Sequence, residues 1–401
     1  MKASIPVLLA LAACAPLSRH VPDPLWSSDL ATPKFAADEA GADTLARGLL
    51  HRWYVRKNVP WAIHVLDVDR RACWVPLAVK GSTGAIGRQK TSDVVRQLDS
   101  ITAISSARRP TLGGGVNADF FLFEPPGLPT GALVQNGQVS AGPGERPVFA
   151  FDSAGRPWMG ALKVDGRAVS GPEVIRITAW NRHTRGGVAF FDAAYGTTID
   201  TASGTIRVAL KGPRGGEVVG IDTLGRFTPI PEKGSVLEVS RDAPTDLKLR
   251  VMLLARTRAY FNVDVKLLPF HPLEAVGGFP ILVRDSAEVP GLDSAGAATF
   301  APVRHPRTIA GVSAGGRRLL LITVDGRQPG YSMGMTLREA AQLARDLGAT
   351  QAINLDGGGS STLVIPRQVA AGFRYEIVNR PSDEAGERPI ADVLAIANRC
   401  K

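Results

Sequence analysis

A run of three glycines beside an aspartate is the part of this sequence best suited to chemistry. It lies in residues 354–362, Asn-Leu-Asp-Gly-Gly-Gly-Ser-Ser-Thr, where Asp356 is the acid. Consecutive glycines allow a backbone to approach a ligand closely and to direct its N–H groups at an anion. The G-x-G-x-x-G order that opens a nucleotide-binding helix is absent. The segment predicts an anion cradle next to a carboxylate, and a strained turn between strands is the plainer alternative.

The elements before this segment predict where its acid lies. Residues 318–324 form a nearly continuous apolar run, as in a buried strand, and residues 352–355 form a second strand. A capped helix between them makes a strand–helix–strand unit, whose strands are expected to run parallel. Asp325 follows the first strand and Asp356 the second. Both are therefore expected at one edge of the sheet, where ligands collect in open α/β sheets.

Capping signals and short-period patterns predict the other elements. Thr336 and Glu339 form a capping box, and Gly348 is placed to end that helix. An earlier helix begins at Thr91 or Ser92. Residues 62–68 and 73–79 alternate like paired strands, and residues 125–300 contain many short strands, including a hairpin at 135–138. We predict an α+β fold, mostly antiparallel sheet with few helices and one strand–helix–strand unit near the carboxyl terminus.

The amino terminus predicts export. The first twenty residues, MKASIPVLLALAACAPLSRH, contain an apolar stretch too short to span a bilayer. Within it, Leu11-Ala12-Ala13-Cys14 is typical of a lipoprotein cleavage site with lipid on Cys14, and an ordinary cleaved signal is the alternative. We predict a signal at 1–14, a flexible tether at 15–45 and a single domain at 46–401. The expected location is a membrane anchored by lipid, facing the periplasm or cell surface.

The charge of the chain bears on its partners, and its cysteine content bears on a possible disulfide. The net charge is +10, but no dense basic run occurs, so a solvated basic surface is favoured and nucleic acid is not an expected partner. Once Cys14 is set aside, Cys73 and Cys400 remain of the three cysteines. In an oxidising compartment they can form a disulfide, and two unpaired thiols are the alternative.

Residues 354–362 resemble the signature of the phosphodiester glycosidase family, and several other segments agree with it. These segments lie at 115–121, 181–182, 197–198, 305–308, 324–327, 332–336, 379–383 and 387–389. The family includes a lysosomal enzyme that removes N-acetylglucosamine from a phosphodiester. One departure is Ala118, where bacterial relatives often have glycine. The resemblance implies hydrolysis of the sugar–phosphate bond in a glycosyl-1-phosphate diester of a cell-envelope glycan or glycolipid.

The resemblance also implies a division of labour among the site residues. The phosphodiester leaves as a stabilised anion, so the site needs cationic and N–H groups for phosphate and a carboxylate near the developing oxocarbenium ion. Four acids are the catalytic candidates: Asp356, Asp325, Asp119 and Glu387. The substrate-binding candidates are Arg307, Arg388, Asn117, Asn181, Gly357, Gly358, Gly359 and Ser360. No cofactor is predicted with certainty, and the aspartates leave room for a divalent cation.

Two other chemistries are disfavoured by the sequence. Residues 311–315 match the serine-hydrolase pattern G-x-S-x-G around Ser313, but that motif needs strand–turn–helix and this segment is typical of a hairpin. The six histidines are scattered, without the spacing of a His-rich dinuclear phosphodiesterase. Two rivals to the glycosidase remain: a non-catalytic carbohydrate-binding surface lipoprotein and a phosphodiesterase that cleaves the P–O bond.

Overall fold

The computed structural model describes residues 36–80, 84–103, 112–200, 205–224, 227–296, 299–370 and 372–399. The first fourteen strands are β1 Glu39–Ala46, β2 Leu49–Arg56, β3 Trp61–Asp69, β4 Trp74–Lys80, β5 Leu112–Asn117, β6 Leu133–Gln135, β7 Gln138–Ala141, β8 Val148–Phe151, β9 Pro157–Gly160, β10 Lys163–Ser170, β11 Glu173–Ile177, β12 Ala179–Trp180, β13 Val188–Asp192 and β14 Thr198–Ile199.

The remaining strands are β15 Ile206–Gly212, β16 Gly215–Asp222, β17 Thr228–Pro229, β18 Ser235–Val239, β19 Tyr260–Leu268, β20 Glu274–Gly277, β21 Ile281–Arg284, β22 Ala287–Glu288, β23 Arg307–Val312, β24 Arg318–Val324, β25 Gln351–Asn354, β26 Leu363–Val369, β27 Gly372–Ile377 and β28 Asp392–Asn398. The α-helices are α1 Thr91–Ala103, α2 Thr245–Arg256 and α3 Leu337–Asp346. The α+β prediction is confirmed.

Two sheets frame the part of the fold that contains the glycine run. The first sheet has the order β1-β2-β3-β24-β23-β25-β21-β22, and the second has the order β27-β26-β5-β28-β4. Alternate residues of β24 face opposite ways: Leu321 packs into the main core with β5 and β28, whereas Ile322 packs against α3. Helix α1 covers the outer face of the second sheet. Burial on both faces explains why β24 is apolar throughout.

The middle of the chain builds two further sheets. A five-stranded sheet has the order β7-β6-β20-β8-β9, and an eight-stranded sheet has the order β11-β10-β19-β16-β15-β18-β13-β12. The hairpin predicted at 135–138 joins β6 to β7, and both turn residues have positive φ, 49° at Asn136 and 77° at Gly137. These are the conformations that a two-residue hairpin turn needs.

The strand–helix–strand unit is present, with one strand inserted. Strands β24 and β25 each pair antiparallel with β23, which lies between them, so they run parallel to each other as predicted. The capping box is formed by Thr336 and Glu339, and Gly348 follows the helix with φ of 89°. The carboxyl ends of β24 and β25 therefore lie at one edge, beside the start of β23.

Two predictions about the early part of the chain are wrong. Strands β3 and β4 do not pair: β3 lies between β2 and β24, whereas β4 pairs with β28 in the second sheet. A 3₁₀ turn at Arg70–Ala72, followed by Cys73 in the left-handed region, redirects the chain between the sheets. The predicted tether is also too long, because β1 begins at Glu39 and pairs with β2.

Of the three cysteines, only Cys73 lies in the part of the chain that the structure describes. Cys73 is disulfide-bonded, and its carbonyl accepts a hydrogen bond from the N–H of Arg399 at 3.0 Å. The predicted partner Cys400 and the predicted lipid site Cys14 both lie outside the described residues. In the described part of the chain, no helix is both long and apolar enough to cross a membrane.

Candidate active site

The glycine run connects the first sheet to the second. It leaves β25 after Asn354 and enters β26 at Leu363. Backbone hydrogen bonds fix its course: the Asp356 N–H donates to the Ala118 carbonyl at 2.7 Å, and the Gly358 N–H donates to the Pro306 carbonyl at 3.0 Å. The segment is therefore held against the ends of β5 and β23. We call residues 356–360 the glycine loop.

Close neighbours explain why this loop contains glycine. Gly358 has φ of 62°, and a Cβ there would lie 3.0 Å from a guanidinium nitrogen of Arg327. A Cβ at Gly359 would overlap the Asp383 carboxylate. Only glycine leaves room for both side chains on the loop. An arginine and an acid therefore lie directly on its surface.

Asp356 is a buried carboxylate at the start of this loop. Its Oδ1 accepts a hydrogen bond from the Gly357 N–H at 2.9 Å, and no described residue forms an ion pair with it. Burial raises the pKa of Asp356 to about 6, although the Ser360 hydroxyl, the Gly357 N–H and the Arg388 charge all lower it. A carboxylate with this pKa is largely ionised at neutral pH and still titrates within the working range of an enzyme.

Hydroxyl groups, more than backbone N–H groups, are free at the loop. The Gly357 N–H is donated to Asp356 and the Gly358 N–H to Pro306, so the predicted cradle of N–H groups is largely used within the protein. Three buried hydroxyls have no hydrogen bond of standard geometry: those of Ser360, Ser361 and Thr362. The Ser360 hydroxyl is still close enough to Asp356 to affect its pKa. Buried polar groups without partners are rare and mark places where a ligand or water binds.

A second buried acid, Asp119, lies behind the loop. Its carboxylate accepts hydrogen bonds from the Thr130 hydroxyl at 3.2 Å and the Gly131 N–H at 2.5 Å. Burial raises its pKa to about 6, although the charges of Arg146 and Arg182 lower it. The charge of Asp119 also raises the pKa of Asp356, because the two buried carboxylates have the same sign of charge.

Asp392 and Lys80 belong to the same buried group and were missed by the sequence analysis. Asp392 Oδ1 accepts the Asp119 N–H at 2.7 Å, and its Oδ2 has no partner. Burial and the Asp119 charge raise the pKa of Asp392 to about 7, and burial lowers that of Lys80 to about 8. Lys80 Nζ donates to three backbone carbonyls. An aspartate at the first position of a buried strand was the available signal.

Arg307 does not reach the site as predicted. It is 1 % exposed, its Nε donates to the Met335 carbonyl, and its Nη2 donates to the carbonyls of Phe300 and Val303. Burial lowers its pKa to about 10. Arg307 lies at the predicted edge but holds two chain segments together there, so its contacts do not support a role in binding phosphate.

Two other arginines lie on the glycine loop. Arg388, a predicted residue, forms a bidentate pair with Asp383 at 2.7 and 2.9 Å, and its charge lowers the pKa of Asp356. Arg327 was missed as a site residue, although it lies in the segment 324–327 that carries the family resemblance. It is exposed and its guanidinium packs on Gly358. Among the described residues, its side chain has one hydrogen-bond contact, with the His305 ring at 3.3 Å, and forms no ion pair with an acid. It is the more available cation.

Two predicted acids are fully used in holding structure. Asp325 lies at the predicted edge, where its oxygens accept hydrogen bonds from Tyr331, Asn379 and Arg380, each at 2.9 Å. Glu387 binds the backbone N–H and hydroxyl of Ser92, which satisfies the start of α1. Asp325 therefore positions the neighbouring loops, and the contacts of Glu387 do not support a catalytic role.

The two predicted asparagines are also occupied. The Asn117 amide donates to the Asp356 carbonyl at 2.7 Å and accepts from Thr308 and Thr362. Asn181 has φ of 48° and binds Val139 and Asp192 from a fully buried position. Asn117 thus supports the glycine loop from below, whereas Asn181 shapes a turn next to Arg182. Neither amide is free to bind sugar hydroxyls.

The disfavoured chemistries find no support in the described geometry. Ser313 lies in the turn between β23 and β24, where its hydroxyl accepts the Arg318 N–H, so the hairpin interpretation is confirmed. Among the described residues, no group of three or more His, Cys, Asp or Glu side chains is arranged to hold a metal ion. Asp119 and Asp356 do not form such a group.

A family model matches the part of the chain that contains most of this geometry. Residues 212–397 match the model described as phosphodiester glycosidase. Over these residues the chain is similar to the phosphodiester glycosidase family. The matched region includes the glycine loop, Arg327, Arg388 and Asp392, whereas Asp119 lies before it. Among curated proteins, none matches the chain significantly in sequence.

Solved structures resemble the domain in fold. A hypothetical protein from Synechocystis is 18 % identical with a TM-score of 0.71, and the match covers 90 % of this chain and 64 % of that one. An exported protein from Burkholderia pseudomallei is 24 % identical with a TM-score of 0.63, covering 84 % and 74 %. The catalytic domain of zebrafish N-acetylglucosamine-1-phosphodiester alpha-N-acetylglucosaminidase is 16 % identical with a TM-score of 0.44, covering 91 % and 89 %. The chain thus spans less than two thirds of the Synechocystis protein.

Proposed function

We propose that this protein hydrolyses the sugar–phosphate bond of a glycosyl-1-phosphate diester in a cell-envelope glycan or glycolipid. Water adds to the anomeric carbon, the bond from that carbon to the phosphate oxygen breaks, and the products are a free sugar and a phosphomonoester. The single observation that carries the proposal is the position of Asp356, a buried carboxylate beside Arg327 and Arg388 on the glycine loop. The family match over residues 212–397 supports the same reaction class.

The proposed roles follow from the charges at the loop. Arg327 and Arg388 hold the two non-bridging oxygens of the phosphodiester, which share its single negative charge, because the guanidinium fork suits phosphate. Asp356 carries a negative charge at neutral pH and stabilises the positive charge that develops on the anomeric carbon. The phosphate leaves as a stable anion, so little general-acid assistance is needed. The hydroxyls of Ser361 and Thr362, which have no hydrogen-bond partner among the described residues, are available to bind sugar or phosphate oxygens.

A substrate screen in oxygen-18 water tests this proposal. Purified protein lacking residues 1–14 is incubated with a panel of glycosyl-1-phosphodiesters, and the products are weighed by mass spectrometry. We expect oxygen-18 in the released sugar. Label in the phosphate would identify a P–O-cleaving phosphodiesterase instead. Binding without any release, equal in the wild type and in Asp356→Asn, would identify a carbohydrate-binding protein.

We also propose that the protein is exported and anchored through lipid on Cys14. The segment Leu11-Ala12-Ala13-Cys14 supports this, and the similar Burkholderia protein is described as exported. Mass spectrometry of membrane fractions should find a diacylglyceryl group on Cys14. An unmodified mature terminus elsewhere in the chain would contradict the anchor.

We also propose that Cys73 and Cys400 form a disulfide. It is supported by the bonded state of Cys73 and by the hydrogen bond that brings Arg399 to its carbonyl. Peptide mapping without reduction should recover the two cysteines in one linked peptide. Alkylation of both thiols before reduction would exclude the bond.

A further inference from the structure

A second group of charges lies outside the glycine loop, where the loop after β12 and the end of β14 meet β15 and β18 of the eight-stranded sheet. Its centre is His183, whose Nδ1 contacts Glu238 at 2.6 Å and whose Nε2 contacts Asp200 at 2.8 Å. With a carboxylate on each nitrogen, both must donate, so the ring is an imidazolium. Burial opposes this charge, but the hydrogen bonds to Asp200 and Glu238 raise the pKa of His183 to about 9.

The network is braced on both sides, which fixes the position of Asp200. The Tyr195 hydroxyl donates to Asp200 Oδ1 at 2.6 Å, and Arg207 Nε donates to Glu238 at 2.8 Å. The two side-chain hydrogen bonds to the Asp200 carboxylate, from His183 and Tyr195, both end on Oδ1, and the backbone N–H of Asp200 is a further donor to this carboxylate. Among the described residues, Oδ2 accepts none from another side chain. A rigidly held carboxylate oxygen is therefore available as an acceptor.

Asp200 and His183 line a cavity of about 630 Å³, within the roughly 300–1,000 Å³ typical of small-molecule pockets. Two cationic side chains, Arg182 and His183, are balanced in its lining by two carboxylates, Asp200 and Glu124. The donors of Arg182 already bind the carbonyls of Gly142, Pro129 and Gly131. The cavity therefore offers acceptors without a net charge, which suits a neutral, hydroxyl-rich ligand better than an anion.

An exposed aromatic ring completes the cavity. Phe227 lines it and is 72 % exposed, and Leu122 on the facing loop is 38 % exposed. Single exposed hydrophobic side chains are common, but here the ring of Phe227 lines a cavity that also contains a fixed carboxylate, and such a combination of apolar and polar groups is typical of ligand pockets. A pyranose ring has one apolar face of C–H groups, which stacks on an aromatic ring, and hydroxyls at its edge, which donate to carboxylates.

We propose that this cavity binds a neutral pyranose ring, with Phe227 against its C–H face and Asp200 accepting from its hydroxyls. The site is separate from the glycine loop and has no part in the bond cleavage proposed above. Arg182 lies between the two regions, since it lines the cavity and its charge acts on Asp119. A glycan can therefore be held here independently of hydrolysis.

Saturation-transfer NMR with methyl glycosides tests this site directly. The probes are methyl glycosides of glucose, galactose, mannose and N-acetylglucosamine, which lack phosphate and are not substrates of the proposed reaction. We expect at least one to bind the full chain with a millimolar Kd. Phe227→Ala and Asp200→Asn should each weaken binding about fivefold to tenfold. Leu249→Ala is the control: it removes an exposed side chain of α2, away from the cavity lining, and should leave binding unchanged.

The controls separate this proposal from the proposed hydrolysis. Asp356→Asn should bind the glycoside normally, whether or not the protein turns over a phosphodiester. Phe227→Ala removes an exposed ring, so the variant should fold, which its thermal unfolding curve checks. The proposal is overturned if no glycoside binds at millimolar concentration. It is equally overturned if Phe227→Ala binds normally while Asp356→Asn does not, since the sugar would then occupy the glycine loop.

Discussion

Acids are buried near both ends of β24, but they differ in whether an arginine neutralises them. At its start, Asp67 is fully buried and forms ion pairs with Arg318 and with Arg52, the latter at 3.0 Å. At its other end, behind the glycine loop, Asp356, Asp119 and Asp392 form no ion pair with any described residue. We call these the paired end and the glycine-loop end.

The difference separates charges that support the fold from charges that cost stability. When a buried carboxylate has arginine partners, the attraction within the ion pair offsets the cost of removing the charge from water. Buried carboxylates without such partners have raised pKa values, of about 6, 6 and 7 for Asp119, Asp356 and Asp392. Carboxylates that are costly to bury and have no ion-pair partner are where function is expected.

Asp67→Asn tests the paired end and should have the largest effect on stability. Removing the acid leaves Arg52 and Arg318 buried without a counter-charge, which costs about 3–5 kcal/mol. Denaturant unfolding measures this loss, and Asp165→Asn, at an exposed ion pair with Lys266, is the control with an expected change of about 1 kcal/mol or less. Turnover per folded molecule should not change. Equal losses in the two variants would contradict the comparison.

Asp392→Asn should make stability less dependent on pH. The folded-state pKa of about 7 lies above the ordinary value of 3.8, so the unfolded chain loses this proton first as the pH rises. The stabilisation from Asp392 is present below about pH 4 and is lost as the pH rises through about 7. Asparagine can still accept the Asp119 N–H through Oδ1. The variant should gain on the order of 1–3 kcal/mol over wild type at pH 8.

Unfolding curves from pH 4 to pH 8 check this prediction. The wild type should lose more stability across that range than Asp392→Asn does. Parallel curves for the two proteins would mean that Asp392 does not retain its proton in the fold.

Arg327→Lys and Arg388→Lys should weaken substrate binding with a smaller effect on kcat. Lysine keeps the charge but loses the planar fork that contacts two phosphate oxygens, so KM should rise about tenfold. Arg307→Lys is the matched control, since Arg307 binds backbone carbonyls and should affect stability instead. A larger KM effect from Arg307→Lys would restore the phosphate-binding role predicted from sequence.

Ser313→Ala should have the smallest effect. Its hydroxyl only accepts the Arg318 N–H in a hairpin turn, so kcat should stay within about twofold of wild type. A loss of several hundredfold would revive the serine-hydrolase interpretation of residues 311–315.

Local patterns predicted much of the glycine-loop end. Hydrophobic runs and the capping box located β24, α3 and β25, and strand direction placed Asp325 and Asp356 at one edge. The sequence could not show that β23 lies between the two strands, because strand order depends on contacts distant in the chain. For the same reason, the separation of β3 from β4 was not visible in residues 62–79.

Side-chain partners were the main unpredictable feature of the site. Arg307 and Arg327 both lie in segments that carry the family resemblance. Arg307 is nevertheless buried against backbone carbonyls, whereas Arg327 is exposed and packs on Gly358. Glu387 lies next to Arg388, but only the arginine faces the loop because the glutamate turns to Ser92. Residue type and spacing indicated which segments meet, whereas the donors that satisfy each side chain depend on the assembled fold.

Asp356→Asn at pH 8 tests whether the charge of Asp356 drives catalysis, with stability and turnover measured on one preparation. Asparagine keeps the shape and removes a charge that is costly to bury. We expect kcat on a glycosyl-1-phosphodiester to fall about a hundredfold or more, while the free energy of unfolding is equal to or above that of wild type. A variant that is less stable but retains near-normal kcat would show that Asp356 only shapes the loop, and would contradict the account.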